Sequence, residues 1–450
     1  MKKMVRGEIT AFLSLIFLLL LSLVGATVES ASIQVMKNER RADVSRALES
    51  SFAEYQRQLF ENYKIFSIEA SYETGTFSKT NILNRLSYYG AENIELEMEE
   101  IRYLTDQNGM PFYEQAVRYE KEKTGMDRVE SLIGNIKDWN LNIDKYESYD
   151  ENQRETSNKL NQMLQESEIQ LPTENNPLET MSGLHSKSIC SLLLPDGFHL
   201  SEKELSAENL VSKRELRTGN WSDNTTSDGT IFFNLYLMEH FGNACNKRDG
   251  TALDYELEYL LAGKASDRAN VEAVLKNLSN IRFGINYIYL LSDQEKQAEA
   301  RVMAAGLCSL LTIPGITEIV AQSILLAWAY AEALVDVKTL ISGGKVALLK
   351  NKSNWKLSLE NLITFGNGEG IERREDDVSG IDYKTYLQMM LYSKNKSILR
   401  MRALDIIEQN LKQSYSFFQT DNCVTGLKIQ ANCSLRRGTI YHFATQYHYQ

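Results

Sequence analysis

The clearest pattern in the chain is an uninterrupted apolar run near its start. Residues 9–28 read ITAFLSLIFLLLLSLVGATV and include no charged residue. A helix of about 20 residues spans about 30 Å, the thickness of the hydrocarbon core of a bilayer. The pattern therefore predicts a transmembrane helix over residues 9–28, after a short tail of residues 1–8.

Three kinds of protein carry such a run. A signal-anchor protein keeps it as a membrane helix, whereas a secretory signal is cut after it, and residues 24–26 (Val-Gly-Ala) fit the small-residue rule for that cut. A prepilin-type leader is cut before it, which makes Gly7 and Glu8 a candidate leader-processing site. The run exceeds the 7–15 apolar residues of a usual signal peptide, so we favour the signal anchor.

Basic residues flank the run on both sides: Lys2, Lys3 and Arg6 before it, and Lys37, Arg40 and Arg41 after it. The positive-inside rule therefore gives nearly a tie. Because the preceding tail is short, we expect a single-pass protein of the cell membrane, with a cytoplasmic N-terminus and the bulk of the chain extracytoplasmic.

Beyond the run, apolar side chains recur every three or four residues. They are Val44, Leu48, Phe52, Tyr55, Leu59 and Tyr63. This spacing places them on one face of a helix, and no Pro or Gly occurs between Gly25 and Gly75. We predict an extended stalk helix over residues 29–64. The stripe packs on the chain's own folded part, which we favour, or serves as an assembly stripe against neighbouring subunits, and the two roles can coexist.

The remaining patterns predict an α+β fold. Alternating apolar residues indicate strands near Phe66 and Leu96 and a C-terminal hairpin that pairs with them. The predicted parts are an α+β part over 65–144, a mobile polar insertion over 145–186, an irregular or strand segment over 187–228, a helical section over 229–418 and a β-hairpin over 419–450. The sheet is thus built from both ends of the chain, with a large, mainly helical section inserted.

A second apolar stretch, residues 301–340, raises the question of another membrane span. Pro314 and Gly315 break it, and its second part carries Glu332 and Asp336. A central acidic residue in lipid costs about 2.5–3.5 kcal/mol. The pattern favours a core helix of a helical domain.

The composition mainly excludes some classes of protein. The 450 residues are 43% hydrophobic, enough for a sizeable core, and include only 5 Pro, which permits long helices. Asp plus Glu is 60 against 49 Lys plus Arg, a net charge of −11. An acidic chain without a basic block is a poor candidate for binding nucleic acid.

Candidate chemistry is sparse. No phosphate loop, zinc-protease or nucleophile-elbow motif is present. His240 has no second ligand at helical spacing and is interpreted as a surface histidine. The segment 223–229 resembles a calcium loop, but its twelfth position is Asn234 rather than Glu. The glycines of 366–370 lie beside Glu369, so this segment is interpreted as a flexible loop. We predict no catalytic, cofactor or metal site and no small-molecule substrate.

The cysteines are Cys190, Cys245, Cys308, Cys423 and Cys433. Cys423 and Cys433 are close in sequence, but ten extended residues span about 33 Å, far more than a disulfide allows. We do not expect that disulfide. Trp221, Trp328, Trp355 and the 23 Tyr could line a glycan-binding face, although such residues more often belong to a core.

Several short segments carry a family resemblance. They are RGEITAFL (6–13), ESA (29–31), ALES (47–50), EY (54–55), LEYLLAGK (257–264), WAYAE (328–332), GGK (343–345) and DNC (421–423). With these segments the chain resembles a bacterial single-span membrane family of unknown function, DUF5702, which is similar to the TadE and TadG minor pilins of tight-adherence pili. The resemblance implies a surface protein near a pilus or secretion system. Position 12 is Phe rather than the Glu of type IV pilins, which puts cleavage at Gly7 in doubt.

Two functions follow as expectations. The first is a non-enzymatic, pilin-like extracytoplasmic protein that serves a tight-adherence-type pilus or secretion assembly. Its expected partners are the membrane, pilus or secretion subunits, or further copies of the chain. The alternative is a membrane-tethered binding or sensor module for a cell-wall or extracellular ligand.

Overall fold

The computed structural model describes residues 5–72, 74–125, 187–222, 229–309, 315–365 and 373–449, with scattered positions between 129 and 179. The chain divides into two compact units. Unit 1 comprises Met1–Gln115, Glu215–Ser227 and Ser414–Gln450, and unit 2 comprises Ala116–Arg214 and Asp228–Gln413. The predicted α+β class is confirmed, because early and C-terminal strands form one antiparallel sheet around an inserted, mainly helical section.

The helices and strands of the described residues follow the chain in this order: α1 (Val5–Phe52), α2 (Arg57–Tyr63), β1 (Ile68–Glu69), α3 (Lys79–Tyr88), β2 (Glu95–Tyr103), α4 (Asp106–Lys123), α5 (Ile189–Leu193), α6 (Thr230–His240), α7 (Glu256–Ala262), α8 (Asp267–Ser292), α9 (Gln294–Leu307), α10 (Ile316–Ile341), β3 (Lys345–Val346), α11 (Leu359–Thr364), β4 (Ile381–Asp382), α12 (Tyr383–Ser393), α13 (Lys396–Lys412), β5 (Cys423–Ser434) and β6 (Ile440–His448).

The long N-terminal helix ends earlier than its apolar spacing predicts. The stalk predicted over residues 29–64 is wrong beyond Phe52, because α1 stops there and α2 begins at Arg57. The Gln56 backbone N–H donates to the Ser67 carbonyl at 2.8 Å rather than continuing the helix. Its side-chain oxygen accepts from Leu59 N at 2.7 Å and so caps α2. A tertiary hydrogen bond thus competes with the helical one.

The unit 1 sheet is centred on β5. Val424 pairs with Ile68 of β1 on one side and with Tyr103 of β2 on the other. Leu427 pairs with β2 and also with Tyr447 of β6, so β6 lies on the same side of β5 as β1. All these pairings are antiparallel. The predicted C-terminal hairpin and its pairing with the early strands are therefore present.

One face of this sheet is covered by the outer half of α1. Val44, Leu48 and Phe52 are buried in one cluster with apolar residues of β5, among them Leu427 and Ile429. The strands alternate accordingly, with apolar side chains towards the helix and polar ones towards solvent. The core of unit 1 thus forms around the C-terminal part of α1.

Unit 2 is mainly helical. α10 is buried along nearly its whole length and packs against α8 and α9. The interpretation of residues 301–340 as containing a core helix therefore fits the structure. Among the described residues, one helix is long and apolar enough to cross a membrane, and it is α1.

Two caps and one short helix define the local structure of unit 2. Gly263 ends α7 in the left-handed conformation, with φ 66°. Ser266 caps α8, since Ser266 Oγ accepts from Ala269 N. The strand predicted within 187–194 is wrong, because Ile189–Leu193 is a helix. A short apolar run has no period that separates strand from helix.

Three predicted segments lie wholly or largely outside the described residues. They are the polar insertion at 145–186, most of the calcium-like segment at 223–229, and the glycine-rich loop at 366–370.

Candidate functional site

The N-terminal half of α1 presents apolar side chains all around its circumference. Ile9 is 54% exposed and Phe17 is 67% exposed, and none of the apolar window is buried within the protein. The hydroxyl groups of Ser14, Ser22 and Thr27 each donate to a carbonyl three residues earlier, at 2.8 Å. Hydrocarbon offers no hydrogen-bond partners, so these internal bonds suit a helix immersed in lipid.

The two candidate leader-processing residues lie at the start of this helix. Gly7 and Glu8 have helical backbone within α1, and their side chains are outside the described part of the structure. Whether the chain is cut between them remains a sequence prediction.

The proposed assembly stripe is used inside the chain. Val44, Leu48, Phe52, Leu59 and Tyr63 are each at most 1% exposed, and Tyr55 is half-buried. The reading of this stripe as a contact surface for neighbouring subunits is therefore corrected. Its side chains are already enclosed by the chain itself, and a second partner has no access to them.

The break between α1 and α2 opens a cleft in unit 1. Its volume is about 510 Å³, and its walls come from residues 54–57, Glu69, Tyr72 and residues 414–418. Glu54 is held by Arg85 Nε at 2.9 Å and by the Tyr89 hydroxyl at 2.5 Å. The Tyr72 hydroxyl is buried and has no hydrogen-bond partner among the described residues. Burial raises the pKa of Tyr72 to about 12, so the phenol is protonated and can donate.

Unit 2 holds a fully buried network of four charged side chains. Arg282 Nη2 donates to Asp336 Oδ2 at 2.8 Å, and Lys350 Nζ donates to Asp336 Oδ1 at 2.7 Å. Lys350 Nζ also donates to Glu332 Oε1 at 2.6 Å. Two cations therefore face two carboxylates, and every member has charge-assisted hydrogen bonds.

The electrostatics of this network follow from that pairing. Burial by itself raises the pKa of Asp336, but the charges of Arg282 and Lys350 outweigh it and hold that pKa below its ordinary value. Burial lowers the pKa of Lys350, whereas Asp336 and Glu332 raise it above its usual range. Arg282, Asp336 and Lys350 therefore stay ionised across the physiological pH range.

The same network fastens a loop to two helices. Glu332 on α10 accepts from the backbone of Lys356 and Leu357, at 3.0 and 2.8 Å. Arg282 on α8 donates to the carbonyls of Ala347 and Leu348, at 2.9 and 3.0 Å. The network is thus a structural crosslink, and its buried groups are out of reach of a substrate.

The resemblance segment LEYLLAGK lies in a comparable buried position. Glu258 accepts from Ala244 N and from the Tyr383 hydroxyl, both at 2.9 Å. The hydroxyl of Tyr259 donates to Asp405 at 2.8 Å. Burial raises the pKa of Glu258 to about 7, although the hydrogen bonds from Ala244 and Tyr383 lower it. The segment LEYLLAGK therefore contributes polar contacts to the core of unit 2.

Three further segments, WAYAE, GGK and DNC, also supply residues with internal contacts. Trp328 in WAYAE is buried and donates its Nε1 to Leu357 O at 2.9 Å, so it cannot line a glycan-binding face. In GGK, a Cβ on Gly344 would come within 2.8 Å of an Asp376 oxygen. In DNC, Asn422 accepts from Arg217 at 2.6 Å within unit 1. These residues therefore make contacts that stabilise the fold.

Residues considered for catalysis or metal binding are dispersed. His240 is buried rather than at the surface, since its ring packs at 4.4 Å on that of Tyr236 and at 5.7 Å on that of Tyr119. All five cysteines are described, and no disulfide joins them. Within the described ranges, no three His, Cys, Asp or Glu side chains are grouped to hold a metal ion.

Sequence reasoning missed the partners of the buried acids. Glu332 and Asp336 stood out as charges inside an apolar helix, which signals either a functional site or a buried ion pair. Arg282 and Lys350 gave no comparable signal, because they lie 54 and 14 residues from Asp336 along the chain.

Comparison with known proteins places the chain in a family. Residues 167–435 match the model of a family of unknown function, DUF5702. The searches of curated proteins and of solved structures gave no match. Because the matched segment covers more than half of the 450 residues, the chain belongs to the DUF5702 family.

Proposed function

We propose that this chain is a non-enzymatic, membrane-anchored protein whose N-terminus is cytoplasmic and whose two units are extracytoplasmic. One observation carries the proposal: a single unbroken helix is apolar and exposed over residues 9–28 and is built into the core of unit 1 from Val44 onward. A cleavable signal is normally separable from the folded part, whereas this helix is part of it. The anchor and the outer unit therefore share one rigid element.

We further propose that the protein serves a pilus or secretion assembly of the tight-adherence type. The support is the resemblance of residues 6–13, and of the segments beyond them, to a family similar to TadE and TadG minor pilins. A helix that crosses the membrane and continues into an outer unit is also the arrangement expected of a pilin-like subunit.

Two measurements test the anchor and its orientation. Alkaline carbonate should leave the full-length protein in the membrane pellet, and N-terminal sequencing should show an intact start. A membrane-impermeant maleimide should label a Tyr88→Cys variant in intact cells, because position 88 is exposed. The unsubstituted chain, whose Cys245 has a pKa raised to about 12 by burial, is the control. Release by carbonate, a mature start near Thr27, or labelling only after lysis would each contradict the anchored topology.

The assembly role needs a separate experiment. Photo-cross-linking from an exposed position such as Tyr88 in living cells should yield an adduct recognised by antibodies against a tight-adherence pilus subunit. The same cross-linker at buried Phe52 is the control. Cross-links confined to the chain itself would contradict the assembly role while leaving the anchor intact.

The cleft in unit 1 favours a second candidate function, a tethered binding module. Tyr55, Tyr72 and Phe417 supply aromatic walls, and the partnerless Tyr72 hydroxyl offers a donor. Aromatic walls with a few polar groups suit sugar rings. Calorimetry with soluble peptidoglycan fragments should show binding that Phe417→Ala weakens and that Tyr88→Ala, an exposed aromatic outside the cleft, leaves unchanged. No heat of binding would exclude cell-wall glycans as the ligand.

A further inference from the structure

β6 forms an unprotected edge of the unit 1 sheet. Its nine residues, Ile440–His448, include no Lys, Arg, Asp, Glu or Pro. In the described part of the chain, β6 pairs with β5 on one side and no strand lies on the other. Proteins usually protect such edges with charges, prolines or bulges, because an open edge recruits further strands. β6 has none of these protections.

The ladder determines which backbone groups face outward. Tyr449 N donates to Thr425 O, and Leu435 N donates to Thr439 O. The odd-numbered residues of β6 therefore exchange backbone hydrogen bonds with β5. The N–H and C=O groups of His442, Ala444 and Gln446 therefore point to the outer edge. Their spacing of two residues matches the hydrogen-bonding positions of an added strand.

β6 runs in the same direction as α1. Going outward along the helix, Lys37 lies over the Tyr441 ring, Ser45 lies at Thr445, and the Phe52 ring contacts Tyr447. This argument rests on the proposed membrane anchor: copies held by the same membrane present their β6 strands in the same direction. Two such edges could pair only in parallel, and the slanted bonds of a parallel pair do not have the two-fold symmetry of a closed dimer.

The opposite edge of the sheet does not supply the missing strand either. Along β2, Asn220 N donates to Ile101 O at 3.2 Å, and Asn220 Nδ2 donates to Glu99 O at 2.8 Å. A neighbouring copy therefore meets a covered edge over this part of β2. The occupant that fits β6 is a strand from a different protein.

Two cationic side chains beside β6 indicate that the added strand is acidic. Lys37 Nζ lies 5.1 Å from the Tyr441 ring centre, and the Arg41 guanidinium lies 5.9 Å from that of Phe443. Among the described residues, neither Lys37 nor Arg41 has an acidic partner, while Asp43 is shared by Arg40 and Arg46. A strand beside β6 would place its helix-facing side chains about 5 Å further out, within reach of these cations.

We propose that β6 binds an extended, acidic strand of a second protein by extending the unit 1 sheet. Backbone bonds at His442, Ala444 and Gln446 supply affinity. Carboxylates facing Lys37 and Arg41 fix register and exclude basic segments.

The test uses the full-length chain in detergent micelles and two fluorescent nonapeptides. One alternates Val and Glu and the other alternates Val and Lys, so that they differ only in charge sign. Fluorescence anisotropy should show the Glu peptide binding at least tenfold more tightly, with affinity that falls as salt rises. On binding, amide hydrogen exchange should slow at Ala444 and Gln446.

Two kinds of variant probe the two contributions. Lys37→Gln with Arg41→Gln should weaken the Glu peptide at least fivefold, whereas Arg46→Gln with Arg57→Gln, two exposed arginines that already have acidic partners, should not. Ala444→Pro removes an outward N–H that the ladder does not use, so it should abolish binding of the peptide while circular dichroism stays unchanged. If Ala444→Pro disturbs the hairpin, the variants at Lys37 and Arg41 still test the proposal.

The proposal is overturned by equal binding of both peptides, by binding that ignores the Lys37 and Arg41 changes, or by self-association in sedimentation that Ala444→Pro abolishes. The last result would show that the edge of β6 binds a second copy of this chain. These outcomes are separate from failure of the proposed function, because loss of anchoring appears in carbonate extraction and leaves peptide binding in micelles measurable.

Discussion

The two units are stabilised by different kinds of interior. Unit 1 surrounds the outer part of α1 with apolar side chains such as Leu48, Leu427 and Ile429. Unit 2 buries charges, with Arg282, Glu332 and Asp336 at 3% exposure or less. Removing one apolar side chain leaves a cavity, whereas removing one charge leaves its partner ionised and unpaired in a medium that solvates it poorly. The comparison therefore predicts that substitutions destabilise the two units by different mechanisms.

The largest effect is expected in the charged interior. Asp336→Ala leaves Arg282 and Lys350 without their shared carboxylate, and we expect unit 2 to lose about 3–5 kcal/mol of unfolding free energy. Amide hydrogen exchange along α10 measures this unit separately. The control is Glu318→Ala on the same helix, an exposed acid that should change stability by less than about 0.5 kcal/mol. Similar effects of the two changes would show that the network is not essential to the fold.

The apolar interior should respond next. Leu48→Ala removes a side chain that is 1% exposed, and we expect unit 1 to lose about 2–5 kcal/mol. Hydrogen exchange along β5 is the measurement. The matched control is Leu20→Ala on the same helix, where the side chain is 55% exposed and the exchange of β5 should not change. An equal response at both positions would refute the division of α1 into a lipid-facing half and a core half.

A third effect depends on pH. Burial raises the pKa of Glu258 from 4.5 to about 7, so between these values the folded state keeps a proton that the unfolded state releases. The stability of unit 2 should therefore fall as pH rises from about 4.5 to 7 and then level off. The contribution is at most on the order of 2–3 kcal/mol. Glu258→Gln should flatten this part of the profile, and an unchanged slope would show that other groups cause it.

The smallest effect is expected at the surface of the charged unit. Lys352 pairs with Glu295 at 2.5 Å, but both side chains are more than 70% exposed. Lys352→Gln should change stability by less than about 0.5 kcal/mol. Lys350→Gln, two residues away, breaks buried pairs with Glu332 and Asp336 and should cost several times more. Equal costs measured by urea unfolding would mean that burial does not set the strength of these pairs.

Periodic features were predictable from sequence because they repeat locally. The hairpin over 419–450 and the core helix within 301–340 both follow from periods of two or about 3.6 residues. The end of α1 was not predictable, because it depends on a hydrogen bond between Gln56 and Ser67. The short helix at Ile189–Leu193 was misread, since five residues are too few to show a period.

The candidate sites show the same division. The apolar run of α1 was evident from its residues alone. The unit 1 cleft was not, because residues 54–57 and 414–418 are far apart in the chain and meet only after folding. The open edge of β6 was equally hidden, since an edge is defined by the strand that is missing beside it.

The sequence by itself determined which segment is long and apolar enough to cross a membrane, because about 20 apolar residues in a row match the thickness of hydrocarbon whatever the rest of the chain does. It also located strands near both ends of the chain, because alternation is local. Only the tertiary structure decided that the helical stripe is core rather than an assembly surface, that Asp336 is neutralised by Arg282 and Lys350, and that β6, among the described residues, has a neighbouring strand on one side only. These facts depend on which distant residues meet, and a one-dimensional pattern carries no record of distance in space.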